Sequence, residues 1–152
     1  MTTAQLTLPT GREEAWRFTP LSKIIGLLDG SIDVGSSLVS NVSAPHSVKI
    51  STGTATSPVI TPEDFAAATA INKAKNLLSV EIPADERVSE PIIIDRVGAS
   101  LAQTNYERIS VKAGRHSQAT VIIHNSGSAL LSEDVEIELS DGAHLTLSLI
   151  HI

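Results

Sequence analysis

The sequence predicts a mixed α+β N-terminal region followed by the first coils of a β-helix, mainly β overall, and three observations predict it. The first is a pattern that recurs. After a shift of 26 residues, Ile109, Val111, Ala119, Val121 and Ile123 fall on Val135, Ile137, Leu145, Leu147 and Leu149. A weaker copy precedes them: a shift of 29 places Val80, Ile82, Ile92 and Ile94 on Ile109, Val111, Val121 and Ile123. Each unit is a short apolar/polar alternation, a turn-like insert (Ala84-Asp85-Glu86, Gly114-Arg115-His116, Ser140-Asp141-Gly142) and a second alternation. Period-2 alternation marks a half-buried strand. Its return at this spacing marks a solenoid, in which each coil buries its inward face against the next. The second observation is composition: 41% of residues are apolar but only 3% are aromatic. The core must therefore be built from Val, Ile, Leu and Ala, which suit stacked strands. The third is a change of texture near residue 76, which divides the chain into a helical and mixed region, 1–76, and the start of the β-helix core, 77–152.

Taken in order, residues 1–10 read as an extended or unstructured lead-in. In residues 11–30, Glu13 and Glu14 precede the sole Trp16, and Pro20 interrupts. Thr19 can cap a second short helix with Pro20 at its first position, Leu21, Ile24, Ile25 and Leu28 on one face, and Gly30 at its end. Trp16 and Phe18 are its expected anchors. A core anchor is the favoured reading of Trp16, with an interface for a partner as the alternative. Ser31 to Pro58 turns to Ser, Thr, Gly, Asn and Pro around Leu38-Val39 and Val48-Ile50, which predicts one or two short strands. Thr61-Pro62-Glu63-Asp64 then opens an Ala-rich helix, with Thr61 as the cap and Asp64 in the place of a capping-box acid. Pro83 and Pro91 flank the first coil's strands, where a missing N–H does no harm.

The chain stops at LTLSLIHI within an alternating run, without the capping element that a solenoid needs. The expectation is a fragment, or a partner over the open coil; self-association through that coil is a further outcome.

Net charge is −6. Residues 1–76 hold six basic and six acidic side chains, whereas residues 77–152 hold five basic and eleven acidic. A negative field repels phosphate backbones, so nucleic acid is not an expected partner. No apolar run approaches the ~18 residues of a membrane span, and the first residues lack the basic start and apolar stretch of a secretory signal. The absence of cysteine excludes disulfides and thiolate-held metal in this sequence and fits a reducing compartment.

The stretch GREEAWRFTPLSKI, residues 11–24, resembles the opening of SufD-type subunits of the SufB/SufD family, which belong to the SUF iron–sulfur cluster assembly machine. Glu14, Trp16, Arg17, Phe18, Thr19 and Leu21 match its acidic–Trp–basic–aromatic–Thr–x–Leu pattern. Residues 77–95, LLSVEIPADERVSEPIIID, are similar to that family's lead-in to its β-helix, and the turn at residues 140–147 adds a weaker match. The resemblance implies a right-handed parallel β-helix after a helical region. It also implies a cytoplasmic scaffold role without catalysis, partnered by a SufB-type subunit and a SufC-type ATPase. The iron–sulfur cluster then belongs to the full complex, with no cofactor in this chain. The family's later coils and C-terminal helical domain are missing from this sequence, so its cluster-handling residues transfer to no position here. The alternative is a carbohydrate-active or purely structural β-helix.

Candidate chemistry is sparse. Asp134, Glu136 and Glu138 alternate along one strand and point the same way. A lyase or hydrolase site would need such carboxylates, but Arg108, Ser110 and Lys112 occupy the matching positions one repeat earlier, which reads as cross-coil charge pairing. The acidic run Glu133–Asp141 as a whole reads as a solvated outer face. Of His46, His116, His124, His144 and His151, the pair His124 and His151 is the strongest candidate for a metal, against a reading of all five as surface side chains. There is no GxSxG, HExxH or phosphate-cradling glycine loop. The expected catalytic, cofactor-binding and metal residues are therefore none, and the chain is not expected to be an enzyme.

Overall fold

The computed structural model describes residues 6–35 and 37–152. A single 3-10 turn at Glu14–Trp16 leads into α1, Leu21–Asp29. No side chain caps α1, so Thr19 does not play its expected part, but Gly30 closes the helix in the left-handed region (φ 74°). The strands β1 (Leu38–Ser43) and β2 (Lys49–Thr54) follow. The second helix, α2, runs Phe65–Lys73. Its cap is Asp64 rather than Thr61: the Asp64 carboxylate accepts from the amides of Ala66 and Ala67 at 2.8 and 2.9 Å. β3 (Asn76–Ile82), β4 (Ile92–Ala113), β5 (Gln118–Leu139) and β6 (His144–His151) complete the chain.

β4 and β5 are each long enough to serve two ladders. In one ladder, β3, the second half of β4 and the second half of β5 pair in parallel. In the other, the first half of β4, the first half of β5 and β6 pair in parallel. Alternate side chains from both ladders meet in one apolar core: Val80 and Ile82, Ile92 and Ile94, Ile109 and Val111, Val121 and Ile123. On the N-terminal side β1 runs antiparallel along β4 and β2 antiparallel along β3. Residues 38–54 thus join the same sheet as the repeats, and Val42, Ala44, Val48 and Ile50 add to its core. The side chains of β1 and β2 facing away are mostly exposed, and polar edge strands of this kind resist pairing with other chains.

The 26-residue spacing holds at all five pairs it predicted: Ile109 with Val135, Val111 with Ile137, Ala119 with Leu145, Val121 with Leu147, and Ile123 with Leu149. The 29-residue spacing holds only in part. Ile92 and Ile94 meet Val121 and Ile123 as expected, but Val80 and Ile82 lie beside Val111 and Ala113, a spacing of 31. The reason is turn length. Ile92 follows Ile82 by ten positions, whereas Val121 follows Ala113, the neighbour of Ile82, by eight. A register shift between Ser100 and Thr104 takes up the remaining difference.

The turns themselves stack. Gly114 donates to the Ile82 carbonyl, Asp85 to Arg115, Ser140 to Ala113 and His116 to Asp141. In each turn the third residue after the strand has positive φ: Asp85 (61°), His116 (56°) and Gly142 (69°). Only Gly142 adopts that conformation without steric cost.

Candidate functional site

On the outer face the predicted charge column is present in the predicted register: Arg108 beside Asp134, Ser110 beside Glu136, Lys112 beside Glu138. Its two ends differ in kind. Lys112 and Glu138 are 3.9 Å apart and about half exposed, a pair of little energetic weight. Arg108 is 1% exposed. Its Nε donates to Asp134 at 3.1 Å, its Nη2 to Glu136 at 3.1 Å, and its Nη1 to the Thr56 carbonyl. Glu136 also accepts from the amide of Val59 at 2.8 Å. The guanidinium and its two carboxylates therefore fasten segment 56–60 over the sheet. The carboxylates at 134 and 136 face an arginine and backbone amides, so they are built into the fold and do not present a free acid/base pair.

A second charged cluster lies inside. The inward positions Ile92 and Ile94 continue to Arg96, Ile109 leads back to Glu107 and Asn105, Ile123 continues to Asn125, and Val135 leads back to Glu133. Arg96 is 2% exposed, and its Nη1 lies 2.7 Å from Glu133 Oε2. Its Nη2 is buried without a partner, as are both amide atoms of Asn125. Asn105, 3% exposed, donates to Ser37 and to the Leu130 carbonyl. Burial raises the Glu107 carboxyl above its ordinary range, with the Arg96 charge opposing and Glu133 adding. A cavity of about 380 Å³ adjoins this cluster, lined by Asn125, Glu133, Leu131 and His151 among others. Sequence reasoning placed Arg108 in the charge column but took the facing acidic run for a solvated face, and it passed over Arg96. The period-2 register was the available signal for Arg96.

The histidine pair is not brought together. His124 stands beside Ile150, and His151 beside Asn125, one position on. Adjacent positions on a strand face opposite ways, so His151 lies on the face shared with Asn125, although the residue is exposed, and His124 lies on the opposite face. His124 Nδ1 lies 2.6 Å from Asp95 Oδ1 on the neighbouring strand. His116 lies against the turn of the next repeat at Gly142, and His144 pairs with Gln118. Among the described residues no group of three or more His, Cys, Asp or Glu side chains is placed to hold a metal ion, and no helix is long and apolar enough to cross a membrane.

Trp16 packs, with Leu21 and Ile24, against a second buried cluster of Leu27, Leu28, Ala74 and Tyr106. The Tyr106 hydroxyl donates to the Leu27 carbonyl at 2.6 Å, tying α1 to β4. Phe18 does not share that cluster. It is 88% exposed, with the Arg17 guanidinium 5.3 Å from its ring centre.

Comparison with known proteins adds what the geometry does not. The chain is 32% identical over 143 residues to the iron–sulfur cluster assembly SufBD family protein Rv1462 of Mycobacterium tuberculosis (strain ATCC 25618 / H37Rv), covering 91% of this chain and 36% of that protein. The same figures hold for the SufBD family protein Mb1497 of Mycobacterium bovis. For ML0594 of Mycobacterium leprae the identity is 29% over 145 residues, 92% of this chain and 37% of that protein. The chain thus spans little more than a third of the length of these relatives. No family model matches it, and no solved structure does.

Proposed function

From a similarity that supports the SufB/SufD family and a role in iron–sulfur cluster assembly, we propose that this chain is part of a SufD-type scaffold. In this reading it works through contacts with a SufB-type subunit and a SufC-type ATPase in the cytoplasm. It performs no catalysis itself, and the iron–sulfur cluster is cargo of the assembled complex. The same reading takes β3 onward as the opening coils of a right-handed parallel β-helix; the parallel register of β3 to β6 supports it. The observation that carries the proposal is the similarity along 91% of the chain. The fate of the charged groups agrees with it. Arg108, Asp134, Glu136, Arg96 and Glu133 bond to one another, which suits a rigid framework more than a reactive cleft.

The test is affinity capture, from cells expressing the gene product that contains this sequence, of candidate SufB-type and SufC-type proteins. Co-elution of both in fixed ratio is the expected result. Capture of neither, with the bait folded by circular dichroism, refutes the scaffold reading.

A further inference from the structure

Two glutamates stand in matching register where the apolar core gives way to polar side chains: Glu107 on β4 and Glu133 on β5. Neighbouring strands lie about 4.8 Å apart, so two charged carboxylates at these positions repel unless positive charge intervenes. One guanidinium does. Arg96, on the facing ladder, is bonded through Nη1 to Glu133 and leaves Nη2 buried and unpaired. One cation for two carboxylates leaves an excess negative charge in a half-enclosed interior.

We propose that Arg96, Glu107 and Glu133 form a proton-operated clasp between β4 and β5. With a proton on Glu107 the two strands close on the Arg96–Glu133 pair. Loss of that proton leaves two stacked carboxylates sharing one guanidinium and loosens the pairing of Thr104–Glu107 with Leu130–Glu133.

The other groups around Glu107 do not supply the missing charge. From α2 and the residues after it, Lys73 and Lys75 line a cavity of about 250 Å³ with Glu107, Asn76, Asn105 and Tyr106. Lys75 is exposed to solvent that screens it, and the half-buried Lys73 directs its ammonium over the Tyr106 ring, 5.2 Å from its centre. β1 contributes the uncharged Leu38 to that cavity. Beyond Glu133, His151 lines the neighbouring cavity, and it is an exposed residue whose interactions solvent screens.

The sign follows from linkage. Burial raises Glu107 above its ordinary value of 4.5 in the folded chain. Below 4.5 both folded and unfolded forms hold the proton, and no penalty applies. As pH rises from there the unfolded chain ionises first, so stability falls until the folded-state value is passed.

The experiment combines carboxyl-carbon NMR titration of the intact chain, assigned with Glu107→Gln, and thermal unfolding at pH 4 and pH 8. The Glu107 resonance is expected to titrate above 4.5. Glu107→Gln, which keeps the size and removes the charge, is expected to raise Tm by about 2–4 °C at pH 8 and to leave it unchanged at pH 4. Amide exchange in 104–107 and 130–133, corrected for intrinsic rates, should quicken with pH in the parent and not in the variant. Titration of Glu107 at or below 4.5 overturns the clasp. So does an equal Tm shift at both pH values, or a Glu107→Gln chain that fails to fold.

Discussion

Replacing Arg108 with alanine isolates what the outer charged column contributes. The guanidinium is 1% exposed, and its carboxylate partners Asp134 and Glu136 are 16% and 11% exposed at the side chain. Arg108→Ala leaves both negative charges enclosed without their cation and frees the Thr56 carbonyl. Breaking a buried pair from one side costs about 3–5 kcal/mol, a large part of the ~5–15 kcal/mol by which a domain is stable. Urea unfolding at pH 7, followed by far-ultraviolet circular dichroism, reads this as a drop in midpoint at unchanged slope. Two controls sharpen the reading. Lys112→Ala removes the exposed end of the same column and should change stability by less than about 0.5 kcal/mol. Arg108→Met combined with Asp134→Asn and Glu136→Gln removes the charges together, keeps an oxygen to accept from Val59, and should recover most of the loss. An Arg108→Ala cost below about 1 kcal/mol would refute the argument that enclosure, not mere pairing, sets the value of this contact.

Two further expectations are local. Gly127 has φ 77°, and a Cβ there would lie 2.3 Å from the Gly98 carbonyl oxygen of the adjacent strand. Gly127→Ala should therefore cost more than the ~1–2 kcal/mol of a left-handed residue alone, read as a fall in Tm. Asp64→Ala removes the two bonds that start α2 and should cost about 1 kcal/mol, whereas Asp64→Ser should retain most of the stability in the same melt.

How far the sequence disclosed this structure depended on the range of the cause. The strand register of β4 to β6 was legible because alternation is local and the turn between strands keeps one length in those two repeats. The first copy was misplaced by two residues because the longer turn from Pro83 to Pro91 adds length without leaving a mark in the alternation. The column of Arg108, Ser110 and Lys112 beside the three carboxylates was legible for the same local reason. That Arg108 is covered was not, since the cover is segment 56–60, some fifty residues earlier and without apolar periodicity. Phe18 illustrates the opposite error: proximity in sequence to Trp16 and Leu21 suggested shared packing, but one turn of backbone separates it from their cluster. His124 and His151 failed as a pair by a single position, which in a strand is enough to reverse the face.

The unequal turns have a consequence for how such a chain can change. Two extra residues between Ile82 and Ile92, and the slack between Ser100 and Thr104, leave the pairing of Ile92 with Val121 and of Ile109 with Val135 intact. Each ladder therefore keeps its own count, and the corners between them act as expansion joints. Insertions or deletions at those corners alter the outline of the molecule and spare its interior. A single residue gained or lost inside a strand has no such outlet, because it would exchange every inward side chain after it for an outward one. Peptide tags or spectroscopic labels placed at Leu101–Ala102, exposed residues that the pairing of β4 with β5 skips, should accordingly be carried at little cost to the fold.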